Sequence, residues 1–181
     1  MAAPSTPAAS GGTSPAFHPG ELSCADAYTD DPLNVDSIPF TAGVGFEALS
    51  EAGFDPMPVR SADLPWKASG GYFSKSPIYL DDDVAWAEVT ALEGGDVRFG
   101  WVPAGVWTGL ARGSTGRTYE ASTARFESCE GSYTGFLGGI LTPTARACIT
   151  LGIRSNIHPE VESLRVAVGK GACGDPGSGP G

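Results

Sequence analysis

Along the middle of the chain, apolar residues recur at every second position. In DVRFGWV, Val97, Phe99 and Trp101 fall on one side, with Arg98 and Gly100 on the other. In ACITLGIRS, Ile149, Leu151 and Ile153 alternate against Thr150, Gly152 and Arg154. In ESLRVAVG, Leu164, Val166 and Val168 alternate against Arg165 and Ala167. A period of two is the mark of a strand with one face buried. Weaker runs of the same kind cover 38–46, 78–80, 84–92 and 124–128, and the polar turns LDDD, EGGD and SNIHPE punctuate them. A helical period is confined to FEALSEAGF, where Gly53 would serve as the C-cap, and to a single turn in PAGVWTGL. The pattern predicts an all-β protein: an antiparallel β-sandwich, immunoglobulin-like or jelly-roll-like, of about seven strands with at most one or two short helical turns.

Composition divides the chain of 181 residues into three parts. Residues 1–19, MAAPSTPAASGGTSPAFHP, are small, uncharged and punctuated by proline. They can bury too little apolar area to offset the entropy of ordering, so they read as a flexible tether. Residues 174–181 read as a tail for the same reason, which leaves 20–173 as one β domain. The N-terminus has neither the basic cluster nor the apolar core of a signal peptide, so export would require a signal upstream or already removed. No apolar run approaches the roughly twenty residues of a membrane span.

The formal charge of −10 and a pI near 4.5 argue against nucleic acid and anionic membrane surfaces, both of which need clustered Lys and Arg. The three lysines, Lys67, Lys75 and Lys170, are scattered.

Four cysteines, Cys24, Cys129, Cys148 and Cys173, are widely spaced. Zinc sites want tight C-x-x-C pairs with histidine nearby, and the two histidines, His18 and His158, lie in the tether and in a turn. An even count at wide spacing fits disulfides, although buried reduced thiols are the alternative. Four cysteines allow three pairings. Cys129 and Cys148 bracket a glycine-rich stretch, CEGSYTGFLGGILTPTARAC, and strand parity places both thiols on the side away from the core. The expected pairs are Cys129–Cys148, stapling a surface loop, and Cys24–Cys173, joining the ends of the domain.

The succession ARFESC, FLGGIL, RACITLGIR and LRVAVGKGAC resembles the C-terminal half of small exported domains of unknown function from high-GC Gram-positive bacteria. The earlier SIPF and KSPIYLDDDVAWAEV, with its Lys-x-Pro entry, are similar to that family's preceding strands. The resemblance spans residues 35–173 and rests on the placement of turns and cysteines. It implies an extracytoplasmic, envelope-facing protein and assigns no activity.

Enzyme chemistry finds little footing in the sequence. G-x-S-x-G is absent, and His158, beside Glu160 in a turn, reads as solvated. GSTGRT at 113–118 lacks the spacing and the following helix of a phosphate loop and reads as a hairpin tip. A carboxylate-dependent hydrolase would need two of Asp81, Asp82, Asp83, Glu88, Glu127 and Glu130 to converge in a cleft. Asp81 and Asp83, helped by Asp82 and by Asp96 or Asp30 and Asp31, are weak Ca²⁺ candidates for a Ca²⁺-dependent carbohydrate-binding module. The plainer reading of that triplet is a charged hairpin turn.

Aromatic residues next to glycines are the remaining lead: Trp101, Trp107, Tyr119, Tyr133 and Phe136. Trp101 shares a face with Val97 and Phe99 and reads as core. Tyr133, Phe136 and Trp107 are the expected partner-binding residues, with the Cys129–Cys148 loop as the first surface. The expectation is a non-enzymatic domain without cofactor, displayed outside the cytoplasmic membrane, that binds an envelope or extracellular protein or glycan through its end loops.

Overall fold

The computed structural model describes residues 18–28, 38–47, 49, 53–60, 64, 70–108, 119–130 and 133–174. Residues 1–17 of the predicted tether, the tail beyond 174, GSTGRT, Asp30 and Asp31, and most of the middle of the predicted helix FEALSEAGF therefore lie outside the described residues. The flanks of that helix are not helical. Phe46 ends a strand, and Phe54 forms a parallel bridge with Val168.

Among the described residues the fold is nearly all β, with thirteen strands in three sheets. That is more than the expected seven, because several strands are only two or three residues long. The largest sheet has the order β1-β9-β7-β12-β13. These are Glu21–Leu22, Thr123–Glu127, Trp86–Glu93, Ala147–Ser155 and Glu162–Val168. All its pairs are antiparallel except β1 with β9. Ala87, Val89, Ala124, Phe126, Ile149, Leu151, Ile153, Val166 and Val168 are buried on one face, as the alternation in the sequence requires.

That face packs on a second layer made of two four-stranded sheets. One has the order β10-β6-β3-β2, from Thr134–Phe136, Ile78–Leu80, Val44–Phe46 and Phe40–Thr41. The other has the order β4-β5-β11-β8, from Met57–Pro58, Tyr72–Lys75, Gly139–Thr142 and Arg98–Phe99. The chain passes from β5 to β6 and from β10 to β11 without leaving the layer. Ser76 N–H donates to the Gly138 carbonyl at 2.9 Å and bridges the two ladders at the crossing.

Trp101, 1% exposed, fills the space under that crossing. Its ring stacks on Phe99 at 5.1 Å and meets Phe126 edge-on at 5.4 Å. It therefore ties both layers into one core, as its shared face with Val97 and Phe99 predicts. A smaller apolar cluster on the outer side of the second layer joins Leu64, Phe73, Val102, Tyr119 and Leu141. The helical turn α1, Ala104–Trp107, packs against it where PAGVWTGL predicts one.

The segment between Cys129 and Cys148 corrects the sequence reading. It is not a surface loop: residues 134–142, which form β10 and β11 and the link between them, are all buried. Its described glycines, Gly135, Gly138 and Gly139, mark close approach of neighbouring parts of the chain. A Cβ on Gly139 would strike the Ser74 carbonyl and the Phe73 ring, and one on Gly138 would strike Trp101.

All four cysteines are paired, but as Cys24–Cys129 and Cys148–Cys173, not as Cys129–Cys148 and Cys24–Cys173. Strand order is the reason. Leu22 of β1 lies beside Phe126 of β9 in a parallel pair, so the two strands leave the sheet at the same end and bring Cys24 to Cys129, with a Cα separation of 4.9 Å. Cys148 pairs in register with Ala167, and a turn after Val168 folds Cys173 back onto it, Cα to Cα 4.6 Å. The expected Cys129–Cys148 pair is geometrically excluded. Ser128 hydrogen-bonds Ala85 at one end of the sheet, whereas Cys148 opens β12 at the other, roughly 20 Å away at ~3.3 Å per residue. A disulfide spans at most about 7 Å between Cα atoms.

Candidate functional site

The outward face of the sheet β10-β6-β3-β2 carries a row in which aromatic residues and glycines alternate. Across the strands, Phe40 is opposite Gly45, Gly45 opposite Tyr79, Tyr79 opposite Gly135, and Gly135 is bridged to Tyr28. The absence of a side chain on the glycines lets the neighbouring rings lie across the sheet. A Cβ on Gly45 would meet the Phe40 ring at 3.0 Å, and one on Gly135 would meet the Tyr79 ring at 2.7 Å. Rings laid over glycines in this way cover backbone that the glycines leave bare.

Tyr133 immediately precedes β10 and is 38% exposed. Its ring approaches that of Phe40, from the opposite edge strand, to 6.4 Å. Tyr79 is buried, and its hydroxyl donates to Glu47 Oε2 at 3.2 Å. Burial first, and then the negative charge of the neighbouring Glu47 carboxylate and the hydrogen bond it accepts, push the Tyr79 phenol well above the ordinary tyrosine range. The face thus presents half-exposed rings above a buried phenol that is bonded to the exposed Glu47 carboxylate. Such a surface can stack against a sugar or bury an apolar side chain.

At the loop end of the same sheet, next to the Thr134–Leu80 rung, stands the turn Asp81, Asp82, Asp83. Asp81 N–H donates to the Gly43 carbonyl at 3.0 Å, and its carboxylate accepts from Asp82 N–H at 2.8 Å. Oxygens of the three carboxylates lie within 4.8 Å of one another. The Asp81 carboxyl is held above its usual range, chiefly by burial, with further like-charge repulsion from Asp83 and Asp82. Asn156 braces the turn, because its Oδ1 accepts from Ala85 N–H at 2.7 Å and from Trp86 N–H at 3.1 Å.

The other expected partner-binding residues lie elsewhere. Phe136 is fully buried, packed on Phe126 at 5.0 Å, and is a core residue with no surface to offer. Trp107 ends α1 and packs on Phe73 at 6.3 Å, with Lys75 Nζ 5.7 Å from its ring. It shares the outward side of the second layer with Tyr133 but belongs to the neighbouring sheet. Sequence reasoning missed Phe40, Tyr79 and Tyr28, since only the cross-strand register places them beside glycines.

Of the carboxylates considered for hydrolysis, Asp81, Asp82 and Asp83 share one turn, while Glu88, Glu127 and Glu130 lie outside that cluster. Glu88 lies on the solvent face of the large sheet in a row of alternating charge, Glu21, Arg125, Glu88 and Arg154. Arg154 pairs with it at 2.8 Å, while Arg125 stacks over Trp86 at 4.5 Å. Glu127 and Glu130 are exposed. An open groove of about 490 Å³ does bring Asp96 and buried Glu120 to one concave wall with Arg98, which pairs with Asp96 at 3.2 Å. Glu120 was not among the sequence candidates. His158 is bound to Glu162 at 3.1 Å, on the surface.

Among the described residues, no helix is long and apolar enough to cross a membrane. Compared with known proteins, no family model, no curated protein and no solved structure matches this chain.

Proposed function

We propose that this protein is a non-enzymatic, extracytoplasmic β-sandwich of immunoglobulin-like or jelly-roll-like architecture, which binds an envelope glycan or protein through one end of its second layer. The observation that carries the reading is the exposed Tyr133 ring arched toward Phe40 over a glycine-floored sheet. Two disulfides support the compartment, because such bonds persist where cellular thiols do not reduce them. The resemblance to small exported domains agrees with that placement. The test is co-sedimentation with purified cell-wall polysaccharide, comparing the native chain with Tyr133→Ala and Phe40→Ala. Saturable binding weakened at least tenfold by either change supports the proposal. Binding indifferent to both changes, or none at all, overturns it for glycan.

A second reading, a Ca²⁺-dependent carbohydrate-binding module, is favoured by one observation, the convergence of the Asp81, Asp82 and Asp83 carboxylates. Hard cations with several oxygen ligands suit such a cluster. A melting temperature raised by CaCl₂, reversed by EDTA and insensitive to calcium in Asp81→Asn would support it. A melt unchanged by calcium would remove it.

A further inference from the structure

The two disulfides differ in what surrounds their sulfur atoms. Arg165 Nε donates to Cys148 Sγ at 3.1 Å, and Arg165 Nη2 reaches the Cys173 carbonyl at 3.3 Å. Cys129 Sγ instead faces a backbone carbonyl, that of Cys24, at 3.7 Å. A guanidinium stabilises a thiolate, whereas a carbonyl oxygen does not. Thiol–disulfide exchange is faster when the departing sulfur is the better thiolate.

The two bonds also hold different things. Cys148–Cys173 fastens a C-terminal turn that Arg146 and Arg165 grip independently, through the Gly171 and Cys173 carbonyls. The strands beneath it, β12 and β13, are joined by seven register pairs that do not depend on the bond. Cys24–Cys129 instead secures β1, a two-residue parallel strand, to β9 across 105 residues of sequence. Opening the first bond leaves the core intact, while opening the second loosens an edge of the large sheet.

We propose that Cys148–Cys173 is a thiol-exchange site, attacked at Cys173 by an external dithiol, with Cys148 departing as a thiolate held by Arg165. In the first step the dithiol's thiolate sulfur bonds to Cys173 Sγ as the Cys148–Cys173 bond breaks, and the electron pair of that bond leaves on Cys148. In the second step the reductant's other thiolate attacks its own sulfur in the mixed disulfide. This closes a disulfide within the reductant and releases Cys173 as a thiolate that takes up a proton. Two electrons pass from dithiol to protein, and of the two protons the reductant gives up, one ends on Cys173 and the other is released to solvent while Cys148 stays a thiolate beside Arg165.

The experiment exposes the folded protein to limiting dithiothreitol, quenches by alkylation and maps the labelled cysteines, with glutathione as a monothiol probe to trap the first step. The expected result is labelling of Cys148 and Cys173 at least tenfold faster than of Cys24 and Cys129, with glutathione found on Cys173. Arg165→Gln should slow this opening several-fold and raise the pH midpoint of Cys148 alkylation, and Arg165→Lys should restore both in part. The Cys24–Cys129 rate serves as the internal control for fold integrity and should stay unchanged in both variants. Equal opening rates of the two bonds, glutathione on Cys148, or an Arg165→Gln protein that opens as fast as the native one would each overturn the proposal.

Discussion

The indole N–H of Trp101 donates a hydrogen bond of 2.9 Å to the backbone carbonyl of Ser76, wholly inside the core. Ser76 lies where the chain passes from β5 to β6, so its carbonyl falls between two ladders. Trp101 satisfies it there and fills the space beneath the crossing. An unpaired buried carbonyl costs about 1–3 kcal/mol.

Trp101→Phe is therefore expected to lose that much stability, and Trp101→Ala about 3–5 kcal/mol through the added cavity. Urea unfolding followed by circular dichroism measures both. Equal stability of the native and Trp101→Phe proteins would show that the bond does not matter.

Gly139→Ala should destabilise by about 1–3 kcal/mol, because the new methyl group has no space between the Ser74 carbonyl and the Phe73 ring. The same substitution in a solvated loop would change little. Thermal melting discriminates between them, and an unchanged midpoint would return 129–148 to the surface.

How much of this was legible depends on how each strand is buried. β12 and β13 could be read directly, since one face is apolar and the other polar. β10 and β11 have residues buried on both sides, so TGF and GILT show no alternation, and their glycines look like loop residues. β1 is two residues long and finds its partner about a hundred residues away, so no local pattern announces it. The cysteine pairing follows from that long-range parallel contact, which is why spacing alone suggested the wrong pairs. Tyr133 could be picked out as an aromatic beside glycine. The partnership of Phe40, Tyr79 and Tyr28 with Gly45 and Gly135 exists only once the register is known.

Alkaline titration tests the buried phenol. The folded state holds the Tyr79 proton more tightly than the unfolded chain, whose tyrosines titrate near pH ~10. The stabilisation is fully present below that pH and is lost as pH rises through and beyond it. Tyr79 should resist ionisation in absorbance at alkaline pH until the protein unfolds, and the native-minus-Tyr79→Phe difference isolates its signal. Tyr79→Phe should flatten the alkaline loss of stability, and an unaltered profile would contradict the assignment.

Tyr133→Ala should change stability by no more than about 0.5 kcal/mol, because an exposed ring at a strand end contributes little to packing. A large loss of stability would make Tyr133 structural and weaken its role in binding.

The Cys24–Cys129 loop is the longer, and in the chain-entropy account its closure contributes about 4.7 kcal/mol against roughly 3.5 for Cys148–Cys173. Cys24→Ser with Cys129→Ser should accordingly lower the urea midpoint more than the Cys148, Cys173 double change. The reverse order would deny β1 its place in the sheet.

Non-reducing peptide mapping by mass spectrometry asks the most direct question of the whole account. Peptides joined as Cys24 to Cys129 and Cys148 to Cys173, with no free thiol, are the predicted result. A Cys129–Cys148 crosslink, or four thiols open to alkylation in the folded protein, would contradict both the strand order and the oxidising compartment.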